Sequence, residues 1–268
     1  PVDAGPLWYN YPFDQARLQA DMDQEIRFAH AAGVDFFIYH GPVRSLHATG
    51  WELQNNFDIH MANTIPEAQQ MKFVRALYGH EAMGYTRSRV TVMMDEMVGS
   101  IARPNWQTVL DGRPLLPVLW PDNFKQQLEA AVGDERMTGA EFIAYVRSRI
   151  QDAGLGNPYI VGMEVPARSH LRADAWKADG YDAFTDYAGA YGGSTALRDQ
   201  GPTYAQATAE LAETWKRDFT GKALPSIPPC TSMQYPWPRA LDAAGEPVDR
   251  WYHYQWPQAG DMAVRVNA

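Results

Sequence analysis

The stretch that decides the fold runs from Thr138 to Glu164, TGAEFIAYVRSRIQDAGLGNPYIVGME. Its opening, Thr138-Gly139-Ala140-Glu141, is a capping box, in which a threonine hydroxyl and a glutamate three residues on satisfy each other's backbone N–H groups. Phe142, Ile143, Val146 and Ile150 then fall on one face of the helix so begun. Gly154 and Gly156 close it. Pro158-Tyr159-Ile160-Val161-Gly162-Met163 follows as a short, nearly continuous apolar run, which is how a strand covered on both faces reads. Glu164 ends that run, a carboxylate at the exit of an otherwise apolar strand.

The same helix-then-strand unit recurs on both sides. Upstream, Leu18, Met22, Ile26 and Ala29 form a helical stripe that Gly33 terminates before Val34-Asp35-Phe36-Phe37-Ile38-Tyr39. Met71–Tyr78 and Pro114–Trp120 are further apolar runs, with helices expected at Trp51–Asn63 and Ser88–Ile101. Downstream come Tyr181–Thr185 and Leu224–Ile227. A short helix between Ser169 and Gly180 has Ser169 as its expected cap, and a longer one carries Tyr204, Ala207, Leu211 and Trp215 to Gly221. Strand–helix alternation means a parallel sheet with crossover helices. No Gly-x-Gly-x-x-Gly and no Walker loop occurs, so the expected architecture is α/β, a (β/α)8 TIM barrel, rather than a doubly wound nucleotide fold. The chain reads as one domain over residues 1–268. Its first strand is expected near Leu7–Tyr11 and its last at Trp251–Trp256 or Met262–Val266, with irregular or trimmed first and last strands as one expectation.

Composition narrows the function classes. The 23 basic residues stand against 32 acidic ones, a formal net of -9, and no basic run of five occurs. Nucleic acid is therefore not an expected partner, since phosphate binding needs clustered Lys and Arg. No stretch reaches the roughly 20 apolar residues of a membrane span. The single cysteine, Cys230, excludes an internal disulfide and a Cys-rich zinc site. No basic n-region or apolar h-region follows Pro1-Val2-Asp3, so the sequence reads as a mature or excised product; a periplasmic or secreted setting is favoured. The chain holds 9 Trp, 14 Tyr and 10 Phe. Such rings either fill a large core or stack on the C–H faces of neutral polyhydroxylated ligands.

In barrels the active site lies at the C-terminal ends of the strands. There the sequence places His40, then His80 and Glu81, then Trp120 and Asp122, then Glu164 with Arg168, then Asp186 and Tyr187, and last Tyr235 and Trp237. Glycoside hydrolysis needs one carboxyl group to protonate the leaving oxygen and a second as nucleophile or base. Glu164 is the principal candidate, with Glu81, Asp122 or Asp186 as its partner. An acid among them needs a raised pKa, which Trp120 or a second carboxylate can provide. His40, His80 and Arg168 are candidate hydroxyl binders, and Trp120, Tyr187, Tyr235 and Trp237 the expected sugar cradle. Plainer roles stand beside these: Asp122 can cap a helix beginning at Asn123, Glu81 can pair with His80, and His60 on its helix reads as structural. Asp182 is expected to point into the layer between sheet and helices. Cys230, after Pro-Pro and without a His-Asn partner, is not a nucleophile. No cofactor is expected.

The order and spacing of several motifs resemble family 99 glycoside hydrolases and their relatives in polysaccharide gene clusters. They are Glu25–Tyr39, Leu53–His60 with Met71-Lys72-Phe73, Pro104-Asn105-Trp106-Gln107 with Leu110–Leu115, Asn157–Gly162 and Gly180–Phe184, spanning about residues 6–240. The resemblance implies a (β/α)8 barrel that acts on glycans, in family 99 on α-mannosides with retention. It also implies that the strand at Val34–Tyr39 is the second of the barrel. The chain departs from the family after its fifth strand. Two glutamates three apart stand there in family 99, whereas Glu164-Val165-Pro166-Ala167-Arg168 carries one, so the mannosidase chemistry does not transfer. No Asn-Glu motif follows Trp256. A glycoside hydrolase is thus the leading reading. A degenerate, non-catalytic glycan-binding barrel is the alternative, and a metal-dependent hydrolase built on His40, His80, Glu81, Glu164 and Asp186 is the third. No His-x-His or His-Glu-x-x-His spacing supports the last.

Overall fold

A computed structural model describes residues 15–39, 53–79, 84–164, 169–186 and 204–227. In chain order the elements are α1 (Gln15–Ala31), β1 (Phe36–Tyr39), α2 (Leu53–Ala62), α3 (Pro66–Gln70), β2 (Lys72–Arg75), β3 (Leu77–Tyr78), α4 (Arg87–Ile101), β4 (Thr108–Val109), β5 (Arg113–Leu119), α5 (Pro121–Ala130), α6 (Gly139–Asp152), β6 (Tyr159–Glu164), α7 (Ala173–Asp179), β7 (Ala183–Asp186) and α8 (Tyr204–Asp218). The architecture is mixed α/β with parallel strands: β1 pairs with β2, and β3, β5, β6 and β7 pair in that order. A parallel bridge from Phe184 to Ser226 continues the sheet beyond β7. Leu7–Tyr11, Trp251–Trp256 and Met262–Val266, the expected closing strands, lie outside the described residues.

The unit around Thr138 forms as its sequence dictates. Thr138 and Glu141 make both bonds of the capping box, and Phe142, Ile143, Val146 and Ile150 are at most 1 % exposed. Burying each such side chain stabilises the fold by roughly 1.5–3 kcal/mol. Gly154 and Gly156 adopt positive φ angles of 74° and 82°, the left-handed turn that ends the helix. Gly162 of β6 answers a different need. A Cβ there would stand 2.5 Å from Cε3 of Trp176, so only glycine lets α7 lie this close to the sheet.

Three departures from the expected pattern have local causes. The run Met71–Tyr78 is one segment broken at Ala76: β2 pairs with β1, and β3 with β5. Asn105–Gln107 runs between β2 and β5, with backbone bonds to Phe73 on one side and to Leu115 on the other. Trp106 bridges Phe73, its ring 5.5 Å from the Phe73 ring, and its indole N–H donates to the Leu115 carbonyl at 3.1 Å. β4 then pairs antiparallel with β5 through a turn whose Leu110, Asp111 and Gly112 all have positive φ. Ser169 does not cap α7. It opens a single 3-10 turn (Ser169–Leu171), and Arg172 precedes the helix.

At the N-terminal end of the sheet, just before β7, Asp182 is the hub of an ion-pair cluster that joins β5, β6 and α6. Arg113 donates to its Oδ1 at 2.7 Å, Arg147 to its Oδ2 at 2.6 Å, and the Ile160 N–H to the same Oδ2 at 2.8 Å. Burial works to raise the Asp182 pKa, but these three donors more than reverse it and hold the carboxyl below its usual range. His60 is equally structural in its surroundings. It is 2 % exposed, shares a 2.5 Å hydrogen bond from Nδ1 to the Tyr39 hydroxyl, and lies edge-on to the Phe37 ring. Burial pushes its pKa down to about 4, against a smaller opposing pull from the Ala68 backbone.

Candidate functional site

The described part of the site is one row across the C-terminal ends of the strands. Tyr78 is the register partner of Leu119, Leu119 of Met163, and Glu164 of Asp186. One residue further on, the row reads Gly79, Trp120, Glu164 and Asp186. Two backbone bonds hold it: the Gly79 N–H donates to the Leu119 carbonyl, and the Trp120 N–H to the Met163 carbonyl, each at 2.8 Å. Neighbouring strands lie about 4.8 Å apart, so Glu164 and Asp186 leave the sheet side by side. Pleat alternation puts Glu164 on the side of Gly162, and Asp186 on the side of Phe184, whose ring stacks on Phe219 at 5.4 Å.

Trp120 turns the chain from β5 into α5 in the left-handed conformation, φ 57° and ψ 61°. For a residue with a Cβ this costs about 1–2 kcal/mol. The strain is held in place from two sides. Its ring packs 5.1 Å from that of Tyr78. Its carbonyl sits against Gly79, where a Cβ would collide with that oxygen and stand 2.7 Å from Cδ2 of Phe124. Tyr78 and Trp120 are both half-buried. Tyr78, the last residue of β3, is not among the expected site residues, although its place at a strand end one residue before Gly79 marks it out.

The carboxylates differ in what they hold. Asp122, in the first turn of α5, accepts the indole N–H of Trp176 on Oδ1 at 3.0 Å and pairs through Oδ2 with Arg172 at 2.8 Å. Asp186 is 3 % exposed, and its Oδ1 accepts the Ser169 N–H at 3.2 Å. Ser169 is fully buried and ties three chain segments together. Its hydroxyl donates to the Thr185 carbonyl at 2.6 Å and accepts the Glu164 N–H at 3.2 Å. The neighbouring His170 stands 3.7 Å from the Asp218 carboxylate of α8. Arg217, foremost, keeps the Asp218 pKa low. Glu164 is half-buried. The structure thus brings together Trp120, Glu164 and Asp186, with Asp122 one turn behind. Glu81, His40, His80, Arg168, Tyr187, Tyr235 and Trp237 lie outside the described residues, as does Cys230. Among the described residues no group of three or more His, Cys, Asp or Glu side chains can hold a metal ion, and no helix is long and apolar enough to cross a membrane.

No family model matches the chain, and no curated protein is similar enough in sequence to stand as a relative. Among solved structures, the fold is similar to that of a glycoside hydrolase-like protein, with 19 % sequence identity and a TM-score of 0.51 over 78 % of this chain. A GH99 endo-α-mannosidase from Bacteriodes thetaiotaomicron, solved in complex with BIS-TRIS-propane, aligns over 76 % of this chain at 12 % identity and a TM-score of 0.41. The chain spans 62 % of the length of the first and 54 % of the second.

Proposed function

We propose that this chain is a glycoside hydrolase, built on a (β/α)8 barrel, that cleaves a poly- or oligosaccharide with strand-end carboxylates. The observation that carries this reading is the row Trp120–Glu164–Asp186. It sets an aromatic ring and two acidic residues on neighbouring strands at the end of the sheet where barrel enzymes do their chemistry. Glu164 is the principal catalytic carboxyl, giving its proton to the glycosidic oxygen or attacking the anomeric carbon. Glu81 and Asp122 are the candidates for the second, whereas the Asp186 carboxylate already accepts the Ser169 N–H. His40, His80 and Arg168 bind hydroxyls, and Trp120, Tyr187, Tyr235 and Trp237 stack against the sugar. The likeness to a glycoside hydrolase-like fold supports the reading at the level of the scaffold. The test is a polysaccharide and oligosaccharide degradation screen in which product reducing ends are measured for the wild type and for Glu164→Gln. Release of reducing ends by the wild type and its loss in the variant is the expected result. A variant as active as the wild type overturns the role given to Glu164.

One observation favours a second reading, a glycan-binding barrel without catalysis. The carboxylates of Asp122 and Asp186 already hold groups of the protein itself. Binding on a glycan array with no reducing ends released from any bound glycan would establish that alternative.

A further inference from the structure

Asp186 is a carboxylate at the end of a strand, beside Glu164, and that placement invites a catalytic role. Its environment argues for another. It is 3 % exposed, and it receives a backbone N–H from a serine that is itself fully buried. That serine accepts the N–H of Glu164 and donates to the carbonyl of Thr185, the residue just before Asp186. Asp186, Ser169 and Glu164 are therefore linked by hydrogen bonds across the ends of β6 and β7. The unit ties the backbone of Glu164, at the end of β6, to Ser169 and through it to the end of β7. Asp122 holds the residues that follow Ser169, through Arg172 and through Trp176 behind Gly162.

We infer that Asp186 is a positioning residue, which acts through Ser169 to fix the backbone that carries Glu164, and that it exchanges no proton with the substrate. This rests on the reading that Glu164 performs chemistry. The physical argument is one of acceptor geometry. An amide oxygen accepts the Ser169 N–H as a carboxylate oxygen does, so the clamp needs an acceptor at this place and not a titratable acid. A catalytic carboxyl cannot be replaced by an amide in this way. An enzyme that must hold a group to within a fraction of an ångström loses turnover when that group's support is removed, with little change in substrate binding.

The experiment compares Asp186→Asn, Asp186→Ala, Ser169→Ala and Glu164→Gln in the full chain, by hydrogen exchange over residues 164–171 and by kcat and KM on the glycan the wild type cleaves. Asp186→Asn is expected to keep wild-type exchange protection and at least about a third of the wild-type kcat. Asp186→Ala and Ser169→Ala are expected to speed exchange of the Ser169 and Glu164 amides respectively by about tenfold or more. Each is expected to lower kcat about tenfold with KM within about twofold. Glu164→Gln is expected to keep full protection and lose activity by about 10²–10⁴-fold. Asp186→Asn that retains protection yet loses activity as Glu164→Gln does makes Asp186 a catalytic acid and overturns the proposal. Unchanged exchange in both alanine variants overturns the clamp itself. Exchange is read without substrate, so a wild type that cleaves no glycan removes the hydrolase reading while the clamp is still decided. Ser169→Ala keeps the test open should Asp186→Ala fail to fold.

Discussion

Trp176 on α7 is moored to Asp122 on α5: its indole N–H donates to the carboxylate Oδ1 at 3.0 Å, and the face of the ring lies over Gly162 of β6. A ring held at both its edge and its face cannot swing away. Gly162→Ala would set a methyl group 2.5 Å from Cε3 and 2.8 Å from Cζ3 of that ring. Overpacking of this kind costs about 1–3 kcal/mol. The expected outcome is a lowered denaturation midpoint for Gly162→Ala, largely recovered when Trp176→Leu is added to make room. A lone Gly162→Ala as stable as the wild type would show that α7 is less firmly seated than its contacts state.

The cluster around Asp182 carries a second prediction. Replacing it with alanine takes the carboxylate from two half-buried guanidinium groups, which keep their bonds to Asn157, Pro158 and Gly180, and leaves the Ile160 N–H without this acceptor. Removing the shared acceptor of such a network costs about 1–3 kcal/mol in chemical denaturation. Because the folded-state pKa is depressed, this contribution is fully present above the unfolded value near 3.8 and fades as pH falls through the lower folded value. Wild type and Asp182→Ala should therefore converge in stability under strongly acid conditions. Curves that stay parallel throughout would contradict the assignment.

His60 gives a pH dependence in a different window. Its folded-state pKa of about 4 lies below the ordinary 6.5, so between these values the unfolded chain binds the extra proton. Stability must then fall as pH drops from about 6.5 to about 4, by up to roughly 3 kcal/mol, and this part of the slope vanishes below that range. Glu25 on α1 pulls the other way, because burial, and then Asp21, raise its pKa. The clean measurement is the difference in pH slope between wild type and His60→Gln, which cancels Glu25. Identical slopes would remove His60 as the source.

The catalytic reading predicts a separation between turnover and stability. Glu164→Gln changes one oxygen to an amide at a half-buried strand end whose backbone bond to Ser169 is untouched. Its melting temperature is expected within about 5 °C of wild type, since glutamine keeps the shape of the side chain and an acceptor oxygen. Glycan hydrolysis is expected to fall about 10²–10⁴-fold. Loss of activity accompanied by a large drop in melting temperature would point to a folding defect instead.

Much of this layout is legible in the chain itself, because the signals are local. The Thr138–Glu141 box, the stripe Phe142–Ile150, and the glycines at 33, 154 and 180 act over a few residues, and each element they mark is present. Strand ends are readable for the same reason, and they put Trp120, Glu164 and Asp186 on one row. What escaped depends on partners far away in sequence. Ser169 has the residue type of a cap, yet its bonds go to Thr185 and Asp186, sixteen and seventeen positions on. The break at Ala76 is invisible in an unbroken apolar run, since it shows only in the partners of the two halves, β1 for one and β5 for the other. The commitment of Asp122 to Trp176 and Arg172 spans about fifty residues, and no spacing rule covers that reach.

The left-handed turn at Trp120 also bears on how this rim can be altered. Gly79 leaves room for the carbonyl of that turn, and a side chain at 79 would push against the backbone of its neighbour on the next strand. The two positions are thus a single unit of variation. A library that randomises residue 120 while leaving 79 untouched explores only rims compatible with this one bend, and one that randomises 79 alone returns mostly distorted proteins. Selecting the pair jointly, with Gly or Asn admitted at 120 to release the left-handed strain, is the route by which the scaffold can be given a differently shaped mouth.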